Sequence, residues 1–306
     1  MKFEVIILGS GSSTPSLRRN PASQLVNVQE NYFLVDCGEG TQLQMRRFKI
    51  KFQRIDHIFI SHLHGDHYLG LIGLLQSMHL LGRKKEIHIY GHPDLKTMID
   101  LHMKISSTRL TYPLEFHALN YDAPKIIYSN KVVEVSTVIL RHRIPTCGFI
   151  FREKPKLLPL SSEKIREHKI PVFALPAIKE GADYTTENGT IIPNSELTLP
   201  RPQSHSYAYC SDTIFTEKIV ESIQGVDVLF HESTFTKELE DRAKETYHST
   251  AAQAATIAQK AKVGRLVLGH FSVRYTDLEP FLEEAREHFK NVQLATDGNT
   301  INVYPQ

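Results

Sequence analysis

The amino-acid sequence predicts an α/β fold in which two sheets are each covered on the outer face by helices. Three observations carry this. Short β-branched runs open the chain at residues 3–8, 24–28, 32–36 and 55–61. Helical periodicity then interleaves with further strand-like runs. The last third repeats the alternation, with strands at 207–211, 226–230 and 265–269 around helices such as 250–261. Strands and helices of this kind each leave an apolar face, and stacked layers bury all of them.

Taken in order, residues 3–8 follow a lysine and contain Glu4, so the run is too short and too polar for a signal peptide. No stretch approaches the length of a membrane span. The segment reads as the first strand of a cytoplasmic protein. Gly9-Ser10-Gly11-Ser12-Ser13 comes next. It lacks the third glycine of a dinucleotide fingerprint and the lysine of a P-loop, so it predicts a tight turn beside a cleft and no nucleotide cofactor. Residues 41–54 carry Arg46, Arg47, Lys49, Lys51 and Arg54 with Phe48 and Phe52 between them and no acid. Placed near a cleft, with Arg141 and Arg143, they would suit backbone phosphates, although a basic run is more commonly a solvated helix face.

A helix at 67–80, a strand at 86–90, a helix at 93–102 and a strand at 131–140 follow. Residues 151–204 break the rhythm: they hold seven of the fifteen prolines, mixed charge and a single short helical pattern at 161–169. Such a stretch does not belong to a packed sheet, and it predicts a protruding arm inserted in one domain spanning residues 1–306. A chain of 306 residues with 41% apolar and 23% charged residues suits one large domain with such an insertion. Cys37, Cys147 and Cys210 are odd in number and show no paired spacing, so neither a disulfide framework nor a thiolate zinc site is indicated. The net charge of +2 neither demands nor excludes a polyanionic partner.

The most informative segment is His62-Leu63-His64-Gly65-Asp66-His67, directly after the strand at 55–61. Three imidazoles and a carboxylate within six residues offer two adjacent sets of metal ligands if the segment is a loop, and Gly65 relaxes the backbone there. A lone histidine beside a strand is usually structural. A cluster of this density beside a buried strand needs strong partners to offset its desolvation. The remaining ligands should then lie at the ends of later strands, where His142, Asp212 and His270 stand. Asp212 can bridge, so His62, His64, His142 and Asp212 suffice for one zinc and Asp66, His67, His270 and Asp212 for another. Open coordination remains for a bridging hydroxide. Asp36, closing a strand, is a candidate to hydrogen-bond a ligand histidine.

With these residues in view the chain resembles the metallo-β-lactamase superfamily and, within it, the ribonuclease Z family of tRNA 3′-processing endonucleases. The narrower resemblance rests on Asp36-Cys37-Gly38-Glu39-Gly40-Thr41-Gln42, on His231-Glu232-Ser233-Thr234, similar to the family's His-Glu-Ala-Thr motif, and on Tyr247-His248-Ser249-Thr250. The resemblance implies a four-layer αββα sandwich and zinc-dependent removal of the 3′ trailer from precursor tRNA. It also implies two zinc ions per subunit and a homodimer in which an arm clasps the tRNA elbow. By the same resemblance Asp66 accepts the proton of the attacking water, and His248, oriented by Glu232, protonates the leaving oxygen. The alternative for His248 is a helix cap near Ser249, a job Ser249 itself would do well.

The arm departs from the family pattern, because no Gly-Pro dipeptide occurs anywhere in the chain. Manganese or iron would suit the same nitrogen and oxygen ligands. Two other functions remain open on the sequence: a hydrolase of small phosphodiesters, thioesters or lactams, and a non-catalytic RNA-binding metalloprotein. The remaining nine histidines, His57, His88 and His117 among them, show no ligand spacing and read as structural or exposed.

Overall fold

The computed structural model describes residues 2–304. Met1, Pro305 and Gln306, at the ends of the expected 1–306 domain, lie outside the described residues. The chain divides into two compact units, one of Met1–Ser129, Glu134–Arg152 and His205–Gln306, the other of Asn130–Val133 and Glu153–Ser204.

In the larger unit β1 (Phe3–Gly9) pairs antiparallel with β2 (Ser23–Val28). Gln29 and Glu30, both left-handed, then turn the chain into β3 (Asn31–Val35). Two positive-φ residues are what a two-residue hairpin between twisted strands requires, and Asn27 steadies the turn by accepting from the Glu30 amide at 2.9 Å. After α1 (Thr41–Arg47) come β4 (Ile55–Phe59), α2 (Gly65–Tyr68), α3 (Leu71–Leu80), β5 (Ile87–Gly91), α4 (Pro93–Ile105) and β6 (Leu114–Ala118). Strands β3 to β6 run parallel.

The predicted helix at 67–80 is therefore two helices. A Cβ on Gly70 would lie 2.2 Å from the Gly38 carbonyl oxygen, so the chain breaks where it docks on the loop after β3. The Gly70 amide also donates to the Cys37 carbonyl at 2.9 Å. This break sets α2, with Asp66 and His67, against the end of β3.

The second sheet starts with β7 (Ile126–Ser129), β8 (Val133–Leu140) and β9 (Thr146–Glu153). After the smaller unit it continues with β12 (Ser206–Cys210), β13 (Val228–Glu232), α8 (Glu240–Thr246), α9 (Ala251–Lys260), β14 (Arg265–Gly269), α10 (Glu279–Arg286) and β15 (Val292–Leu294). A final strand, β16 (Thr300–Asn302), returns to pair with β1. The orders are β16-β1-β2-β3-β4-β5-β6 and β15-β14-β13-β12-β9-β8-β7.

Met45 of α1, Leu71, Leu74 and Leu75 of α3, and Leu95 and Ile99 of α4 close the outer face of the first sheet. Ala251, Ala254, Ala255, Ile257 and Ala258 of α9 and Phe281 of α10 close that of the second. Between the sheets the layer is aromatic: Phe33 meets Phe151 and Phe59 meets Phe149, each pair at 5.4 Å. This is the αββα sandwich.

Helix α9 begins with a capping box of Thr250 and Gln253, so the cap is Thr250 and not Ser249, whose hydroxyl donates to the Thr213 carbonyl at 2.6 Å.

The smaller unit has more order than its composition suggests. Within it lie α5 (Ser162–Glu167), capped by Ser161, α6 (Leu175–Glu180), the hairpin of β10 (Tyr184–Thr185) and β11 (Ile191–Ile192), and α7 (Asn194–Leu197). They share a small core of Ile170, Ala174, Ile178, Ile192 and Leu197. Sequence periodicity shows only α5: β10, β11 and α7 are too short to complete a pattern, and α6, as long as α5, carries Pro176 in its first turn. No helix among the described residues is long and apolar enough to cross a membrane.

Candidate metal centre and active site

The run that leaves β4 is not one loop. Residues 61–63 carry no regular structure, His64 is extended, and Gly65 opens α2, which carries Asp66 and His67. Buried Asp36 holds the run in place. Its Oδ1 accepts from the Ser61 amide at 2.8 Å, and its Oδ2 accepts from the Ser61 hydroxyl at 2.9 Å and from His67 Nδ1 at 2.7 Å. The Ser61 hydroxyl, having donated to Asp36, is free to accept from His62 Nδ1 at 3.0 Å. Both imidazoles thus turn Nε2 towards the cleft.

The second sheet supplies its residues singly. His142 follows β8, Asp212 follows β12 and His270 follows β14. Asp36, Asp212 and His270 have φ of 55°, 60° and 61°, the left-handed region. Each such residue costs about 1 kcal/mol or more, and each lies just past a strand end, where the turn redirects its side chain. His142 Nδ1 donates to the Tyr247 carbonyl at 2.9 Å. His270 Nδ1 donates to the Thr234 hydroxyl at 3.0 Å, which itself donates to Glu232 at 2.7 Å. These bonds fix both tautomers with Nε2 inward.

The seven predicted ligands meet around one cleft in two groups: His62, His64, His142 and Asp212, and Asp66, His67 and His270. His64 Nδ1 is 3.1 Å from both His62 Nε2 and His142 Nε2, and Asp212 Oδ1 is 3.8 Å from each of those Nε2 nitrogens. In the second group His270 Nε2 is 3.4 Å from Asp66 Oδ2 and 3.3 Å from Asp212 Oδ2, while His67 Nε2 is 3.5 Å and 3.0 Å from the same atoms. A tetrahedron with bonds of about 2.0–2.1 Å has edges of roughly 3.4 Å, so both groups have the dimensions of a metal shell.

His67 Nε2 adds a chemical reason. It is buried without a hydrogen bond although Asp212 Oδ2 lies 3.0 Å away, so the two atoms are close without the alignment a hydrogen bond needs. Burial disfavours a charged His67, yet the carboxylates of Asp212, Asp66 and Asp36 outweigh it and raise its pKa well above the ordinary value. Three acids around one imidazole are a charge excess that a cation relieves. Burial instead holds His62, His64 and His142 below the ordinary value, in the neutral form that donates a lone pair. The donor set fits a metal-binding site.

Glu232 and His248 stand beside these groups. Buried Glu232 accepts from His248 Nδ1 at 2.8 Å, from the Thr213 amide at 3.0 Å and from the Thr234 amide at 3.1 Å. Burial pushes the His248 pKa down, but the charge and hydrogen bond of Glu232 overcome it and raise the value to about 9. His248 also lies close enough to Asp212 and His270 for the three to form a further ligand group. A protonated imidazole committed to Glu232 does not ligate, so the geometry suits a proton donor better.

The cleft encloses about 350 Å³, lined in part by Ser13, Glu39, Leu69 and Arg143. Sequence reasoning missed Ser13, whose amide donates to Asp66 Oδ2 at 2.7 Å, and gave Thr234 no role. Backbone donors leave no residue-type signal. Thr234 at least stood inside a motif. Of the basic residues singled out, Arg143 lines this cleft and a neighbouring cavity of about 380 Å³, whereas Arg46, Arg47, Lys49, Lys51 and Arg54 line neither. Arg54 instead pairs with Glu30 and sits over the Tyr32 ring at 4.2 Å. His57, His88 and His117, read as structural or exposed, contact one another. On adjacent strands His57 stacks on His88, and His117 lies tilted against His88, with His88 Nδ1 3.1 Å from His117 Nε2.

A family model described as "Beta-lactamase superfamily domain" matches residues 163–271, and one described as "Anti-Pycsar protein Apyc1" matches residues 3–155. Among solved structures the chain is similar to the human tRNase Z short form, with a TM-score of 0.71 and 26% identity over 99% of this chain and 100% of that one. It shares its fold with the metallo-β-lactamase fold protein YhfI from Bacillus subtilis, with a TM-score of 0.70 and 18% identity over 99% of this chain and 100% of that one. Fold and site together define a metallo-β-lactamase-fold protein. Relatives named ribonuclease Z are 47% identical in Bacteroides thetaiotaomicron, over 99% of this chain and 96% of the relative, and 46% identical in Phocaeicola vulgatus, over 99% and 98%. The chain belongs to the ribonuclease Z family.

Proposed function

We propose that this chain is a metal-dependent endoribonuclease that cuts precursor tRNA on the 3′ side of the tRNA body and releases the trailer. The observation that supports it most is the Glu232–His248 pair, 2.8 Å apart, set against two groups of histidine and aspartate side chains. A phosphodiester needs its leaving oxygen protonated, and a histidine held charged by a buried carboxylate does that work. The relatives named ribonuclease Z point to tRNA as the substrate.

The proposed loading is two zinc ions per subunit, with His62, His64, His142 and Asp212 as one set and Asp66, His67, His270 and Asp212 as the other. Manganese or iron would suit the same donors. Bound there, the cations supply neutralisation of the phosphate charge and a lower pKa for the attacking water. Asp66, oriented by the Ser13 amide, takes the proton of that water at its carboxylate. His248 delivers a proton from Nε2 to the leaving 3′ oxygen while Glu232 holds Nδ1. Arg143, lining the cleft, faces the phosphate.

Within the 1–306 domain, residues 151–204 are the proposed tRNA-binding arm, with its own small core and the exposed Val172 and Phe173 available for contact. A homodimer is part of the same proposal. Exposed apolar Leu43 on α1, Leu80 on α3, and Leu101 and Ile105 on α4 are surface that self-association would cover. The substrate implies a cytoplasmic location.

The test is incubation of the zinc-loaded protein with a 3′-extended precursor tRNA, the cut mapped to the nucleotide. Chelator-sensitive cleavage next to the discriminator base is the expected result. Protein shown to carry metal that leaves the precursor intact but turns over a small phosphodiester would overturn the proposal. A precursor encoding CCA, run in parallel, tells whether that sequence is spared.

A further inference from the structure

We propose that Tyr209 is a positioning residue that ties the second sheet to the first-sheet half of the metal centre. This rests on the metal loading proposed above. The centre spans both sheets, so its dimensions depend on how the sheets are held relative to each other across the aromatic layer. Packing alone leaves rings free to slide by tenths of an ångström, whereas a hydrogen bond fixes a distance.

Two tyrosines of β12 cross that layer. Both are fully or almost fully buried. Tyr207 donates to Gln24 on β2, whose side chain bonds neither Asp36 nor a ligand residue. Tyr209 donates to Asp36 Oδ2 at 2.7 Å, the oxygen that also accepts from His67 Nδ1 at 2.7 Å and from the Ser61 hydroxyl at 2.9 Å. One carboxylate oxygen thus collects donors from β12, from α2 and from the end of β4.

Asp36 adopts φ of 55° to stand there. Asp212, the residue placed to join both ligand groups, follows Tyr209 by three positions on the same strand end. Tyr209 therefore links the second-sheet carboxylate to the first-sheet histidine through a single intermediary. Without the phenol hydroxyl Asp36 keeps its other donors but loses the one that comes from across the sandwich.

The test compares the parent with Tyr209→Phe and Tyr207→Phe, each full-length, by zinc affinity and zinc release rate in competition with a chelator and by urea unfolding of the zinc-free protein. Outer ligand partners are worth roughly 10- to 100-fold in metal affinity, and a residue one step further out should give about tenfold. The expected result is that Tyr209→Phe weakens one of the two zinc equivalents about tenfold and speeds its release, while Tyr207→Phe lowers stability comparably and leaves zinc affinity within about twofold of the parent.

Asp36→Asn, which keeps the shape and weakens the acceptor, should weaken the same equivalent and serves if Tyr209→Phe does not fold. Parent-like zinc affinity and release in a folded Tyr209→Phe, or, where that variant does not fold, in Asp36→Asn, would overturn the proposal while leaving the metal reading intact. A parent that takes up no zinc would overturn both.

Discussion

The first sheet delivers His62, His64, Asp66 and His67 from one six-residue run leaving β4, whereas the second delivers His142, Asp212 and His270 one at a time from the ends of β8, β12 and β14. The run depends on local turn geometry and on Asp36 beneath it. The single residues depend on strand ends lying level with one another, which the parallel registers Tyr207↔Val228 and Val228↔Arg265 supply. A site divided in this way should answer differently to substitutions on its two sides. The side built from single residues holds Asp212, whose oxygens lie within 3.8 Å of histidines in both groups, and His248, the proposed proton donor.

The largest expected effect is at the join. Asp212→Ala removes the carboxylate common to both ligand groups and should lose metal and cleavage together, by on the order of 10³-fold or more in rate. Elemental analysis and single-turnover cleavage check it; full metal content would break the comparison. His248→Ala comes next. It should keep metal near the parent level yet slow cleavage about 10²–10⁴-fold, since general acid catalysis is worth that much. Equal metal loss in both variants would merge the two roles.

Thr234→Val removes the hydroxyl that accepts from His270 Nδ1, and metal affinity should fall roughly 10- to 100-fold by chelator competition. His270 stands with Asp66 and His67, so the loss should be confined to that group.

The smallest effect is a shift in pH dependence. His248 is raised from 6.5 to about 9 against burial by Glu232, so the stability from this pair is fully present below about pH 6.5 and lost as pH rises through about 9. Glu232→Gln should flatten that loss in urea midpoints measured between pH 6 and about pH 10, and move the alkaline fall in cleavage rate to lower pH. An unchanged alkaline limb would separate His248 protonation from the reaction.

Much of this was legible in residue types. The His62–His67 run announced a metal site because so dense a polar cluster beside a buried strand is costly to desolvate unless a cation or an equally strong partner holds it. Asp36 could be anticipated as a partner because it closes a strand next to that run. The helix expected at 67–80 failed at Gly70, where tertiary contact with Gly38, not helical propensity, ends the segment. The basic residues 46–54 left phosphate contact and a solvated helix face both open; they line neither cavity, and the sequence could not decide because the sign of a charge is visible there and its direction is not. Strands β6, β7, β15 and β16 escaped notice because short or edge strands carry little alternation, and β9 because a strand buried on both faces does not alternate.

The sequence by itself determined the chemistry available: imidazoles and carboxylates at metal-ligand spacing, a glutamate and a histidine in separate motifs, and apolar periodicities enough for two layered sheets. These are local properties, set by side-chain type and short-range backbone geometry. Only the tertiary structure decided that Glu232 and His248, sixteen residues apart, meet at 2.8 Å, that His67 Nε2 and Asp212 lie close without bonding each other, and that Ser13 and Tyr209 reach the site. Those contacts arise from sheet register, from left-handed turns at Asp36, Asp212 and His270, and from packing across the sandwich. Register and packing are long-range, and the turns, local in themselves, are held where they are by that packing, so no window of neighbouring residues encodes the contacts.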